Sequence, residues 1–576
     1  MKKILLLTIL ITLLQTHLFS MSKKTTPSKI DDWEYNSTKI FNQKFTKSIM
    51  PMAMNSAPML KSIGFSVGGA KDANNFYENI KRGYLPKLKS ITYEGVFYDH
   101  YFQTDSSNEC KTLFCPDYES AIDNNPYNDS KEYWLSIKLG SNLKNLERKR
   151  LNIVVVMDIS GSMSSAFDEY YYDQKLKKRV KNSDTHQPKM VIANNSITAM
   201  LDHLKDQDRL GVVLFDNSAY LAKPLRDVAF TDMDAIKRHI LDIKPKGGTN
   251  WSAGYKKGVG LFDNIEERLK DPNLYENRII FITDAMPNRG ELSKNGLLGI
   301  AKEASKRGIF TTFIGVGVDF NNDLVEAVSK TKGANYYSIH SSKEFKKRLD
   351  SEFDYMVTPL IFNLKMRLLS ENFKIDTVYG SANDNSNDGT IFKIYTLFPS
   401  PTSDKKTKGG VILVKLKKIG KKDDFKLKIE YEDRKSNRFE IIRSGKISKS
   451  GYETTNIQKA ILLARYVDLM QNFLLDSLKS CNNSISTPYY ILHQDVVPIK
   501  KRDISQIDSW ERRSCKLEVS TGYLKLFELF KNYFKSNMDI INDSSLSKEF
   551  ELLNYLTNRS NKKIDDWNIE KNMLQN

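Results

Sequence analysis

Between residues 149 and 357, short apolar runs alternate with amphipathic stretches, and this alternation narrows the choice of fold more than any other feature of the chain. The apolar runs are LNIVVVM, RLGVVLF, RIIFIT, GIFTTFIGVGV and ANYYSI. Helical patterns separate them near residues 189–204, 232–243, 252–269, 293–307, 322–330 and 342–356. Strands that are apolar throughout are typical of a parallel sheet covered on both faces by helices. We therefore predict an α/β domain with a Rossmann-like, doubly wound and mostly parallel sheet.

The pattern changes after residue 358, where strands alternate apolar and polar residues. They read IFNLKMRLL, IFKIYTLF, GGVILVKLKKI and FKLKIEYED. Such alternation predicts an antiparallel β-domain with one face in water. The run YWLSIKLG, which precedes the α/β region, has the same character and is expected to join that sheet, whereas residues 108–130 are rich in turn formers. The α/β domain would then be inserted in, or flanked by, the β-domain.

A C-terminal helical region is expected to follow. One apolar stripe, with Thr454 or Thr455 as the N-cap, comprises Ile457, Ile461, Ala464, Val467, Met470, Leu474 and Leu478. A second helix is predicted over residues 523–534. A chain of 576 residues is too long for one ordinary core. The predicted division is a signal peptide (1–20), a flexible lead-in (21–75), an N-terminal flanking region (76–148), the α/β domain (149–357), the β-domain (358–450) and the helical region (451–576).

The first residues, MKKILLLTILITLLQTHLFS, combine two lysines, an apolar run and a small-residue exit. This pattern predicts a secretory signal peptide, with an uncleaved anchor as the alternative, and therefore a periplasmic, cell-surface or extracellular protein. The four cysteines fit disulfides in an exported chain, and we favour Cys110 with Cys115 and Cys481 with Cys515 among three pairings. A zinc site is the less favoured alternative, because the spacings lack a two-residue knuckle.

The formal net charge of +18 raises the question of nucleic acid. The lysines are spread along the whole chain, many of them on alternating strands such as FKLKIEYE, which is typical of a solvated sheet face. We expect no nucleic-acid binding, while attraction to an anionic envelope surface remains open. The oligomeric state cannot be inferred from these patterns.

Oxygen-bearing side chains follow the strands at the edge where ligands bind in such sheets. Asp158, Ser160 and Ser162 follow the first strand, Thr249 lies in the loop KGGTNWSAG, and Asp284 follows the strand RIIFIT. Two carboxylates and three hydroxyls suit Mg²⁺ or Mn²⁺, with Ca²⁺ as an alternative, and leave a place for an outside ligand.

These residues give the sequence its resemblance to the von Willebrand factor type A domain family, whose metal-ion-dependent adhesion site uses D-x-S-x-S, a later Thr and a later Asp. The resemblance runs from Leu151 to Met356 and rests on MDISGSM, GGTNWSAG and TDAMPN. It implies that Ser160, Ser162 and Thr249 bind the cation directly. Asp158 and Asp284 would act largely through water, and a partner's Asp or Glu would complete the shell.

The flanking segments look like those of exported bacterial proteins described as calcium-activated chloride channel-like, although nothing in the sequence would line a pore. The loop between Met163 and Lys189 is long, and its Tyr170, Tyr171 and Tyr172 are expected on the metal-bearing rim. They would either contact a partner or pack on one another.

The sequence carries no H-E-x-x-H motif, nucleophile elbow or phosphate loop, and His186 and His340 stand alone. We therefore expect a metal-dependent protein-binding or adhesion protein and not an enzyme. The alternatives are a structural or chaperone-like envelope component whose metal only stiffens the loops, and a metal-dependent hydrolase.

Overall fold

The fold is taken from a computed structural model, which describes part of the chain. The described residues are 28–36, 64–67, 74–83, 85–86, 88–104, 112–143, 146–165, 187–284, 294–316, 330–339, 342–381, 388–403, 406–482 and 517–558.

The N-terminal part supplies short helices and the first strands of the β-domain. Its elements are β1 (Gly64–Val67), α1 (Asn74–Arg82), α2 (Tyr93–Asp99), β2 (Tyr101–Gln103), β3 (Phe114–Asn124) and β4 (Lys131–Ser141). The strand β3 lies within the stretch that the sequence suggested to be turns. Pro116 is tolerated there because β3 pairs along its whole length with β4, whereas its other side meets a neighbour only at Ala121 and Ile122.

The α/β domain follows. Its elements are β5 (Arg150–Asp158), α3 (Lys189–Leu201), β6 (Arg209–Phe215), β7 (Ala219–Asp227), α4 (Met233–Leu241), α5 (Trp251–Gly260), α6 (Glu267–Lys270), β8 (Tyr275–Thr283), α7 (Lys294–Lys306), β9 (Ile309–Val316), β10 (Asn335–Ile339), α8 (Ser342–Leu349) and α9 (Phe353–Val357).

The six strands of this domain form one sheet in the order β10-β9-β8-β5-β6-β7. All neighbouring pairs are parallel except β6 with β7, which forms a hairpin that the apolar pattern did not reveal. Alternate residues of β5 pack into separate cores, with Val155 on one face and Val154 and Val156 on the other. The predicted doubly wound, mostly parallel sheet is confirmed.

The remaining strands and helices complete the chain. They are β11 (Ile361–Leu369), β12 (Phe373–Tyr379), β13 (Thr390–Ser400), β14 (Thr402–Ser403), β15 (Lys406–Lys408), β16 (Val411–Lys418), β17 (Asp424–Asp433), β18 (Arg438–Lys446), β19 (Gly451–Tyr452), α10 (Thr455–Asn482), α11 (Thr521–Ile541) and α12 (Ser547–Asn558).

Two five-stranded antiparallel sheets enclose a common apolar core. Their strand orders are β1-β13-β11-β17-β18 and β12-β16-β4-β3-β19. Because β4 precedes the α/β domain and β16 follows it, their pairing from Tyr133 to Lys138 shows that the α/β domain is inserted in a split β-domain, as the sequence predicts.

The face of β4 and β16 opposite this core is covered by helices, so the predicted solvent-exposed face is absent from these two strands. It is present on β17, where exposed and buried residues alternate. Trp134 and Leu413 pack with α10 and its neighbouring helices in a separate core. The helix α10 was expected to bury one stripe, but residues 457–476 are buried on every side, including the polar Arg465 and Asp468. Arg465 is retained there because it donates to Asp123 and Glu132.

Helix ends differ from the sequence predictions where glycine or a loop interrupts the pattern. The predicted helix over 252–269 ends at Gly260, and the one over 342–356 divides into α8 and α9. The cap of α10 is Thr454, whose Oγ1 accepts from the backbone of Asn456. The predicted helix over 322–330 lies outside the described residues except for residue 330, which is in a turn. No helix in the described part of the chain is long and apolar enough to cross a membrane.

Part of the predicted flexible lead-in is structured, which the weak periodicity of that segment did not reveal. Residues 28–36, which we call the N-terminal strap, run along the α/β domain beside β7. The Glu34 backbone donates to the Ala222 carbonyl, and Asp32 forms an ion pair with the fully buried Lys223 at 3.2 Å. Without the strap, that lysine would lack its carboxylate partner, and a buried charge without a partner is strongly destabilising.

Candidate metal centre

The strand β5 ends at Asp158 because the chain leaves the sheet there and turns. Residues 161–164 form a single 3₁₀ turn, and Ser160 precedes it in extended conformation. Asp158 and Ser160 are almost completely buried. The neighbouring strand β8 ends one residue before Asp284, so the two carboxylates emerge from adjacent strands of the sheet at the same edge.

Hydrogen bonds connect four of the five predicted metal residues. The Ser160 backbone N–H donates to Asp158 Oδ1 at 2.7 Å. The hydroxyls of Ser160 and Ser162 lie 3.0 Å apart, and the Ser162 hydroxyl donates to Asp284 Oδ1 at 2.7 Å. The structure thus brings both loops into one oxygen-rich cluster.

The fifth residue, Thr249, lies on the facing loop and is 2% exposed. Two backbone hydrogen bonds hold this loop against the first: Gly161 N–H to the Gly247 carbonyl at 3.0 Å, and Lys246 N–H to the Ile159 carbonyl at 2.6 Å. Gly247 has a φ of +73°, a conformation that side-chain-bearing residues rarely adopt. Gly247 therefore permits the turn by which the loop that carries Thr249 contacts the loop that carries Ser160.

Two residues that no sequence motif indicated, Thr283 and Trp251, hold Asp158 through a chain of hydrogen bonds. Thr283, the last residue of β8, donates its hydroxyl to Asp158 Oδ2 at 2.6 Å. The Trp251 indole N–H donates in turn to Thr283 Oγ1 at 3.2 Å. No local pattern pointed to Thr283; it reaches Asp158 because β8 pairs in parallel with β5, with Ile282 opposite Met157.

Lys189 is a third residue that the sequence did not indicate, and its ammonium forms an ion pair with Asp284 Oδ2 at 3.0 Å. Both side chains are at least 96% buried. No spacing rule would have found Lys189, because the long loop from Ser165 separates it from the rest of the cluster in sequence.

The cluster concentrates negative charge in a buried place. Burial, and then the nearby charge of Asp284, raise the pKa of Asp158 to about 7, although hydrogen bonds from Thr283 and Ser160 oppose the shift. A group whose ionised form is this unfavourable is stabilised by a cation beside it.

The oxygen spacing provides a test of fit for such a cation. Mg²⁺ binds oxygen at about 2.0–2.1 Å in an octahedron, so adjacent ligand oxygens lie about 2.9 Å apart. The Ser160–Ser162 oxygen pair, at 3.0 Å, matches that edge length, and the Asp284 carboxylate accepts a hydrogen bond from the Ser162 hydroxyl at 2.7 Å, as a group next to the direct ligands can. No group of three or more His, Cys, Asp or Glu side chains that could hold a metal occurs among the described residues.

Several other predicted residues lie outside the described part of the chain. These are the rim tyrosines Tyr170, Tyr171 and Tyr172, the histidines His186 and His340, and the cysteines Cys110 and Cys515. Cys115 is disulfide-bonded, so it is not a zinc ligand, and the pairing itself stays a prediction.

Comparison with known proteins matches residues 152–351 to the model of the von Willebrand factor type A domain. Inter-alpha-trypsin inhibitor heavy chain H2 from Homo sapiens is 26% identical over 223 residues, covering 38% of this chain and 21% of that protein. The uncharacterized protein YfbK from Escherichia coli (strain K12) is 23% identical over 309 residues, covering 51% of this chain and 48% of that one. The chain thus spans from about a fifth to about half of these relatives.

Among solved structures, a von Willebrand factor type A protein from Catenulispora acidiphila is similar with a TM-score of 0.40 at 12% identity, covering 66% of this chain and 84% of that one. The family match covers the sheet, the three loops and all five predicted metal residues. The inserted α/β domain of this chain is therefore a von Willebrand factor type A domain.

Proposed function

We propose that this is an exported protein that binds a protein partner through a divalent cation, Mg²⁺ by preference, held at the edge of its type A domain. The observation that carries the proposal is a set of oxygens linked across two loops, in which the exposed Ser162 hydroxyl bonds to both Ser160 and Asp284, which are buried. A cation held there accepts oxygen ligands and offers a remaining position to a carboxylate.

The protein's own residues divide the work. Ser160, Ser162 and Thr249 supply neutral oxygens and would bind a divalent cation directly, which leaves one position of its shell to a further ligand. Asp158 holds the backbone of Ser160, and Thr283 orients Asp158 in turn. An Asp or Glu side chain of the partner is the group that fits this position.

Export is supported by the basic and apolar start of the chain and by the disulfide at Cys115. Disulfides persist in oxidising compartments outside the cytosol. The periplasm, the cell surface and the extracellular space all meet this condition.

Thermal melting with Mg²⁺ and with EDTA tests the site. At Mg²⁺ about 100 times above the dissociation constant, binding should stabilise the wild type by about 2.7 kcal/mol. Asp158→Ala and the isosteric Asp158→Asn should lose this effect. Asp232→Asn is the matched control, since Asp232 caps α4 away from the site and Asn also caps well. Identical melting of the wild type in Mg²⁺ and EDTA would refute an intact site.

Metal-dependent capture of a partner from the source organism tests the binding role. Wild type in Mg²⁺ should retain a partner that is lost in EDTA and with Thr249→Ala. Equal capture by wild type and Thr249→Ala would instead favour a structural or chaperone-like component. Metal-dependent turnover of a substrate by the purified protein would favour a hydrolase.

A further inference from the structure

Lys189 occupies an unusual place at the metal centre. It is the first residue of α3, and its backbone N–H donates to the Ser165 carbonyl at 3.0 Å. Helix side chains lean toward the N-terminus, which carries its ammonium back to the loops, where it reaches Asp284. Only 3% of the residue is exposed.

Helix stability does not explain a lysine at this position. The N-terminus of a helix is the positive end of its dipole, so a cation there is unfavourable. Burying an ion pair also costs desolvation free energy that the pair's attraction often fails to recover. The position of Lys189 is therefore explained by Asp284 and not by the helix.

The charges around the centre show what Lys189 changes. Asp158 and Asp284 alone would bring a divalent cation to zero net charge, whereas Lys189 raises the total to +1. Asp216, another buried carboxylate near the Thr249 loop, has its own partners. It forms an ion pair with Lys246 at 4.0 Å and accepts hydrogen bonds from Ser218 and Tyr220.

We propose that Lys189 is a built-in counter-ion of Asp284 that weakens divalent-cation binding and leaves the loaded centre positive, so that it favours an anionic partner group. This inference rests on the proposed function. It adds a residue that lowers the affinity of the centre for the cation and raises the affinity of the cation-loaded centre for a partner carboxylate.

Calorimetric titration of the full chain with Mg²⁺ at pH 8 tests the first half. Lys189→Met keeps the length of the side chain and removes its charge, so Mg²⁺ should bind about tenfold more tightly. Lys189→Arg keeps the charge and should stay within about threefold of wild type. Lys306→Met removes the same charge from an exposed ion pair on α7 and should change nothing.

Acetate is the probe for the second half, observed by broadening of its NMR signal in the presence of the Mg²⁺-saturated protein. Wild type should bind acetate at least about threefold more tightly than Lys189→Met. If Lys189→Met is not folded by circular dichroism, Lys189→Gln takes its place in both titrations.

The outcomes separate this inference from the proposed function. Absence of Mg²⁺ binding by the wild type would refute the proposed function itself. Mg²⁺ binding by the wild type with equal or weaker binding by Lys189→Met, or equal acetate binding by both, would overturn the role of Lys189 and leave the metal site intact.

Discussion

Thr283 shows how a single hydroxyl can control a carboxylate that lies one strand away. Its donation to Asp158 Oδ2 fixes one carboxylate oxygen, while the backbone of Ser160 fixes the other. Asp158 is thus held from both sides. Groups that orient metal-binding residues in this manner usually change metal affinity when they are removed.

We expect Thr283→Val to weaken Mg²⁺ binding about tenfold, because Asp158 loses a hydrogen bond that fixes its orientation. Calorimetric titration measures the effect. Thr311→Val is the matched control, since Thr311 is also buried in this sheet and its hydroxyl bonds to Tyr255 away from the centre. Equal Mg²⁺ affinity in wild type and Thr283→Val would show that Asp158 is oriented without Thr283.

The sequence could predict residues that belong to a local pattern but not those that meet through the fold. Asp158, Ser160 and Ser162 are close in the chain, and Asp284 follows a strand that could be recognised by its apolar run. Lys189 follows a long loop, so only the packing of α3 against the sheet edge shows that it reaches Asp284.

At the scale of elements, the N-terminal strap joins α4 to the edge strand β7 of the α/β domain. The Trp33 ring stacks on His239 of α4 with centroids 5.3 Å apart, and Asp31 bonds to the same histidine at 2.8 Å. Tyr35 and Tyr220 contact Lys246, whose backbone also bonds to Ile159, the residue between Asp158 and Ser160.

Trp33→Ala should lower the free energy of unfolding by about 1–2 kcal/mol, because it removes stacking and apolar contact that hold the strap. Urea unfolding measures the loss, and faster proteolysis within residues 28–36 should accompany it. Leu274→Ala, a truncation of a 56% exposed side chain, is the control and should have little effect. A stability equal to wild type would mean that the strap contributes nothing to the domain.

Elements with a strong apolar pattern were predictable, and those defined by pairing were not. β6 was predicted at the residues where it is observed, since RLGVVLF is apolar throughout. β7 was missed because Pro224 and several polar residues interrupt it, and it exists through its hairpin with β6. The strap was missed for a similar reason, since its side chains contact residues that are distant in the chain, such as Lys223 and His239.

For the whole molecule, the main question is how the inserted domain is attached. Glu352, in the turn after α8, forms ion pairs with Arg348 of the same domain and with Lys408 of β15 at 3.4 Å. Tyr98 of α2 lies against both cations. This buried cluster therefore joins the type A domain to the β-domain and its helices.

Glu352→Gln should lower the free energy of unfolding at pH 7 by about 3–5 kcal/mol, because two buried cations lose their carboxylate. Burial opposes ionisation of Glu352, but the charges of Arg348, Lys408 and Lys347 prevail and lower its pKa from 4.5 to about 2. The contribution is therefore complete above pH 4.5 and is lost as the pH falls toward 2.

Urea unfolding at pH 7 and at pH 3 checks this dependence. The difference between wild type and Glu352→Gln should be smaller at pH 3. Lys306→Gln, at an exposed ion pair, should show little difference at either pH. A gap between wild type and Glu352→Gln that grew on acidification would contradict the assigned ionisation of Glu352.

The insertion of the type A domain has a mechanical consequence. The chain enters it at β5 after Leu146 has packed on the sandwich, and it returns at β11, which pairs with β13 and β17. A partner pulling on the metal edge would therefore strain two covalent tethers in parallel, each ending in a hydrogen-bonded strand. Tension would be divided between the two sheets of the sandwich, because β4 and β11 belong to different sheets.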